Sequence, residues 1–136
     1  MVTGTQSPDA NAEQYRPGTC NIGPEEQRRR RRLAGATTVV AVGWTVTVVL
    51  GQLPPPLLLA VFAPVMLAVE WYIEGRTAFC VRLAATGAYT FSGTTGDVED
   101  QADHDVDVSR AIRITASAAA LATAVTALLF LLVAWI

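Results

Sequence analysis

Two stretches of the chain carry no ionisable side chain, one from Leu33 through Val69 and one from Ile114 through Ile136. A helix crosses ~30 Å of hydrocarbon with about 20 apolar residues, so the second stretch matches one crossing and the first is too long for one. The first breaks at Gly51-Gln52-Leu53-Pro54-Pro55-Pro56, where successive prolines remove amide donors and push each preceding residue away from helix. The pattern predicts three spans, with apolar cores from Leu33 to Gly51, from Leu57 to Ile73, and from Ile114 onward. Backbone amides surrounded by lipid must be satisfied within their own segment, which leaves helices as the form. The expected fold is all-α: an integral membrane protein with three transmembrane helices, arranged as a helical hairpin plus a third span.

The segments between the spans complete the expected organisation. Residues 1–23 read as a disordered tail, 24–52 as a juxtamembrane helix and first span, 54–74 as the second span, 75–111 as a loop, and 112–136 as the third span. Pro24 followed by Glu25 and Glu26 is a favourable order for a first helical turn. The loop divides in two. Gly75 to Ala85 is expected to continue the second helix along the membrane surface, with Phe79, Val81 and Leu83 as apolar contacts and Gly87 ending it. Gly93 through Asp107 is rich in Gly, Thr and acids and reads as mobile and solvated. Pro64 predicts a kink near Ala60.

Composition sharpens this picture. The chain is 51% hydrophobic and 16% charged, a balance that leans toward lipid. Every basic residue is an arginine, and all of them precede the first span or lie between the second and third. The positive-inside rule then places the amino end and the long loop in the cytoplasm and the carboxyl end outside a plasma membrane. Trp71, Tyr72 and Trp135 suit the interfacial belts, while Trp44 falls mid-span and is expected to pack against another helix. Abundant Asp, Ala, Val and Thr without lysine point to adaptation to high salt.

Candidate chemistry is sparse. The cluster Arg28, Arg29, Arg30, Arg31 and Arg32 reads as a topology signal or a lipid-headgroup clamp. No second basic patch or interleaved aromatic supports nucleic acid. Glu25 with Arg29 and Glu26 with Arg30 have the spacing of helical ion pairs. Glu70 is a possible intramembrane carboxylate, open to a proton or cation role, but shallow enough to reach headgroup water or an arginine such as Arg29 or Arg76. His104 has no partner pattern, and the acidic stretch lacks calcium-loop spacing. Small residues recur every fourth position at Gly35, Val39, Gly43, Thr47 and Gly51, and at Thr115, Ala119, Thr123 and Ala127 beside Ala116, Ala120 and Ala124. Such stripes permit close helix approach, between the two spans or toward a partner.

Cys20 and Cys80 both fall beside helices entering the membrane on the expected cytoplasmic side. They read as inert thiols or, if near each other, as a redox or metal site holding a metal or a haem edge. The stretch Cys20-Asn21-Ile22-Gly23-Pro24-Glu25 with its arginine run, then two spans, Phe79-Cys80-Val81 and a third span, resembles a group of small uncharacterised prokaryotic membrane proteins. That resemblance covers most of the chain after Thr19 and implies architecture without an activity.

No Ser/His/Asp arrangement, phosphate-cradling loop or histidine cluster supports an enzyme, and no cofactor is expected. The leading expectation is a non-enzymatic protein that associates through its helices with itself or a larger membrane complex, with the lipid bilayer as its constant partner. A cysteine-based redox or metal-handling protein, or an accessory subunit of a transporter, is the alternative.

Overall fold

In a computed structural model, residues 8–136 are described, and the part of the expected tail before Pro8 lies outside them. Helix α1 spans Pro8–Gln14 and α2 spans Pro24–Val49. A 3₁₀ segment, Pro55–Val61, runs into α3, Phe62–Thr77. Short α4, Val81–Thr86, precedes the antiparallel hairpin of β1, Ala88–Phe91, and β2, Thr94–Asp97. Helix α5 then runs unbroken from Gln101 to Trp135.

Three of these units are long and apolar enough to cross a membrane: Pro24–Val49, Pro55–Thr77 and Gln101–Trp135. The middle unit packs against both α2 and α5. Leu58 and Val61 of the 3₁₀ segment are fully buried there. Helix α2 starts on Gly23 with Pro24 in its first turn and Glu25 and Glu26 close behind, as the residue order predicts. Pro64 is the third residue of α3, where its missing amide costs little. Close to Ala60, where Pro64 predicts a kink, the backbone changes from 3₁₀ to α geometry between Val61 and Phe62. Trp44 meets its expectation through a specific bond, its indole N–H donating to the carbonyl of Leu57 at 2.9 Å.

Several expectations are corrected. The chain is mostly helical but not all-α, because β1 and β2 form a two-stranded sheet. The second helix does not continue to Ala85. It stops at Thr77, where Ala78 adopts left-handed geometry (φ 55°), and α4 starts afresh after Cys80 and ends on Gly87 (φ 71°). Phe79 therefore turns into the protein rather than onto a membrane surface. It is fully buried with Ala84, Ala111 and Ile114, a burial that contributes about 1.5–3 kcal/mol.

The acidic stretch is ordered as well. Ser92 and Gly93 form a turn with positive φ at both residues, the geometry that suits a two-residue hairpin. Asp100 caps α5, its carboxylate accepting from the Ala102 amide at 2.8 Å. Helix α5 thus begins at Gln101 instead of near residue 112. At 1.5 Å per residue it measures about 52 Å, well beyond ~30 Å of hydrocarbon, so its first turns project from the bundle as a polar stem.

The segment from residue 10 to 23 packs onto that stem instead of trailing away. Ile22 is fully buried and bridges Thr90 in parallel. The Thr90 amide donates to Asn21 at 2.8 Å, and the Gly23 amide donates to Thr90 at 3.0 Å. The Tyr15 ring stacks on Tyr89 with centroids 5.1 Å apart. These contacts join the segment before α2, the hairpin and the start of α5 into one polar cap at the arginine-bearing end of the three long helices.

Candidate functional site

The cap is organised around buried polar groups. Asn21 and Cys80 exchange two bonds: the Asn21 amide nitrogen donates to the Cys80 carbonyl at 3.0 Å, and the Cys80 amide donates to Asn21 Oδ1 at 2.6 Å. The Asn21 backbone amide also donates to Ala78. Asn21 therefore satisfies the backbone left open where α3 ends, a necessity for buried amides.

Glu74, one residue in from Gly75 on α3, is 1% exposed. Its Oε1 accepts from the Val81 amide at 2.8 Å, and its Oε2 lies 3.3 Å from Arg30 Nη1 without the alignment of a hydrogen bond. Arg30 Nη2 also donates to Cys80 Sγ at 3.1 Å. Arg30 thus turns toward Glu74, not toward Glu26 as its helical spacing suggests. The approach is close because residue 75 is glycine: a Cβ there would stand 2.7 Å from Arg31 Cγ and 3.0 Å from the Gln27 carbonyl oxygen.

On the other side of the cap, Asp107 is fully buried. Its Oδ2 accepts from the Tyr15 hydroxyl and its Oδ1 from the Gly18 amide, both at 2.6 Å. Arg110 donates to the Gly18 carbonyl and lays its guanidinium 4.8 Å from the Phe79 ring centroid. Burial, aided by the bond to Asp107 and by the charges of Asp107 and Asp103, pushes the Tyr15 hydroxyl above its ordinary range.

The residues singled out from sequence now have positions. The segments carrying Cys20 and Cys80 do come together in the cap, but each thiol has its own partner. Cys20 donates to the Ile22 carbonyl at 3.7 Å, while Cys80 is fully buried beneath Arg30. Both are free thiols. Burial raises both above the ordinary thiol range. For Cys80 the Glu74 charge adds to this and Arg30 opposes it. For Cys20 the bond to Ile22 and the charges of Arg16 and Arg110 oppose it. Among the described residues, no three His, Cys, Asp or Glu side chains are grouped so as to hold a metal ion.

The arginine cluster is split by position. Arg30 points into the cap, whereas Arg28, Arg29, Arg31 and Arg32 are exposed. Glu70 pairs with neither Arg29 nor Arg76; the Thr115 hydroxyl of α5 donates to its Oε2 at 3.2 Å. That bond ties α3 to α5 where the apolar spans begin.

The small-residue stripes do not pack against each other. Helix α2 buries Ala34, Ala41 and Val48, and α5 buries Ala111, Ile114, Ala118, Ala122 and Thr126. At 100° per residue, Gly35, Val39, Gly43 and Thr47 fall on the opposite side of α2 from Ala41. A Cβ placed at Gly35 or Gly43 meets nothing within 4 Å, and Val39 is 72% exposed. Ala116, Ala120 and Ala124 of α5 are likewise exposed.

Asn21, Glu74, Asp107 and Tyr15 organise the cap and were not singled out as site residues from sequence. Asn21 and Glu74 lay within stretches that drew notice for other reasons. Asp107 reads in sequence only as the end of a solvated acidic stretch and Tyr15 gives no signal, because their partners are distant in the chain. Comparisons with protein-family models, curated proteins and solved structures return no match for this chain.

Proposed function

We propose that this chain is a non-enzymatic, three-span protein of a prokaryotic plasma membrane, and that it works by associating through the outer face of α2 with itself or with a larger membrane complex. The arginine distribution supports an orientation with the cap in the cytoplasm and the carboxyl end outside. The observation that carries the association is the open glycine face. Gly43, beside the exposed Val39, stands opposite the side on which α2 packs in its own bundle, with free space above it, and Gly35 lies at the edge of the same face.

A glycine within a helix costs about 1 kcal/mol relative to alanine, and a face that met only lipid would gain nothing in return. Close approach of a second helix offsets that cost through backbone packing, since lipid gives helices no hydrophobic reason to associate. Chemical crosslinking and mass analysis after mild detergent extraction test the proposal. A dimer or larger complex is expected from native membranes, with loss of that species in Gly43→Leu. A lone monomer extracted from native membranes contradicts it.

A further inference from the structure

The middle unit packs against both α2 and α5 and forms the floor of a groove between them. At the arginine end, a cavity of about 460 Å³ is bordered by Arg31, Gly35, Thr38, Tyr72 and Leu121. Deeper in the bundle, a second cavity of about 350 Å³ is bordered by Val42, Val46, Val65, Val125 and Leu129. The two share Thr38, Ala68 and Val69, so they form one continuous furrow. From Arg31 to Val46 it runs about 22 Å along α2, longer than the ~15 Å of hydrocarbon in one leaflet.

The two ends of the furrow differ in chemistry. Its deep part is aliphatic, and the hydroxyls of Thr38 and Thr45 are already committed to the Ala34 and Ala41 carbonyls. Its mouth holds the exposed Arg31 and the half-exposed Tyr72 ring, over which Arg76 sits 5.8 Å from the centroid. A cationic, hydrogen-bonding rim above a long apolar slot complements an anionic headgroup joined to a hydrocarbon chain.

We propose that this furrow is a binding site for one anionic glycerophospholipid, its phosphate at Arg31, Tyr72 and Arg76 and one acyl chain along Thr38, Ala68 and Val125. The deep lining favours an acyl chain over a partner helix. Helices in lipid meet through small residues that let backbones touch, and here bulkier valine and leucine outnumber the Ala and Thr of the deep lining. The inference rests on the spans lying in a bilayer; Gly35 borders the furrow, whereas Gly43, on which association through α2 is tested, does not.

The full-length chain, reconstituted in nanodiscs of phosphatidylglycerol or phosphatidylcholine and released for native mass spectrometry, tests it. One retained phosphatidylglycerol per chain is expected, with weaker retention of phosphatidylcholine. Arg31→Gln is expected to lower phosphatidylglycerol retention about fivefold, the attraction one basic residue gains near anionic lipid. Ala68→Leu on the floor and Val42→Trp on the rim are both expected to abolish retention. Val42 is 57% exposed, so its replacement leaves the helix packing intact and keeps the test decisive if Ala68→Leu misfolds. A photoreactive acyl chain is expected to label Val65 and Val125.

Gly43→Leu, which addresses association alone, is expected to keep its lipid. Equal retention of the two lipids, retention unchanged in Val42→Trp, or crosslinks showing a second copy's helix in the furrow would each overturn the proposal.

Discussion

The side-chain amide of Asn21 pairs with both backbone groups of Cys80, 59 residues away in the chain. Those two bonds hold the segment before α2 against the end of α3, and so fix the cap to the three long helices. Replacing Asn21 with Ala leaves the buried Cys80 N–H without a partner, at about 1–3 kcal/mol, while the Cys80 carbonyl keeps only its bond from the Ala84 amide. Limited proteolysis in detergent is expected to cut the segment before Pro24 much faster in Asn21→Ala, while the long helices stay intact. Equal resistance in both proteins would show that Asn21 does not hold the cap.

Arg30 and Glu74 form an unequal pair, because the carboxylate is buried more completely than the guanidinium. Removing the arginine leaves a buried charge uncompensated, a loss of about 3–5 kcal/mol in comparable settings. Glu74→Gln keeps an acceptor for the Val81 amide and removes the charge. Arg30→Ala is therefore expected to lower thermal stability in micelles more than Glu74→Gln does. The reverse order would mean that Arg30 acts elsewhere.

Two glycines on neighbouring helices should respond oppositely to enlargement. Gly75→Val drives a side chain into the Gln27 carbonyl and the Arg31 stem and is expected to separate α2 from α3, lowering the melting temperature. Gly43→Leu points into open space and is expected to leave the monomer's melting temperature unchanged. Circular dichroism during heating reads both.

The raised Tyr15 hydroxyl makes the cap sensitive to alkali. A tyrosine in an unfolded segment ionises near ~10, and in the folded cap Tyr15 stays protonated above that. The stability from this difference is complete below pH ~10 and is withdrawn as the pH rises toward the folded-state value, since the unfolded chain then binds fewer protons. Release of the segment before Pro24 is expected to increase above pH ~10 in the native protein. In Tyr15→Phe that alkaline loss should be flatter.

The thiols should differ in accessibility. Cys20 is partly exposed and Cys80 is buried beneath Arg30. A maleimide is expected to label Cys20 first and Cys80 only after denaturation. Because both thiols are pushed up, labelling of Cys20 should keep rising above the ordinary thiol pKa of ~8.5. Rapid labelling of Cys80 in the folded protein would contradict its placement.

The long helices were legible in the sequence because hydrocarbon imposes a local rule, that about 20 consecutive residues lack charge. The turn at Pro54 to Pro56 was legible for a similarly local reason. The cap was not, because acidic, glycine-bearing stretches such as Gly93 to Asp107 have the composition of solvated chain whether or not they fold. Their order comes from partners far away: Tyr15 for Asp107, and Asn21 for Cys80. Local signals for part of it were present all the same, in the Ser92-Gly93 turn between Tyr89-Thr90-Phe91 and Thr94-Thr95, and in Asp100 placed to cap a helix. The stripe at Gly35 and Gly43 was visible as a pattern. Which way it faces required the buried positions Ala34, Ala41 and Val48.

The account depends on α2, the Pro55–Thr77 unit and α5 being solvated by lipid. Washing membranes that hold the full chain with alkaline carbonate, then sedimenting them, measures this directly. The chain is expected to remain with the lipid pellet; its release into the wash would contradict the account.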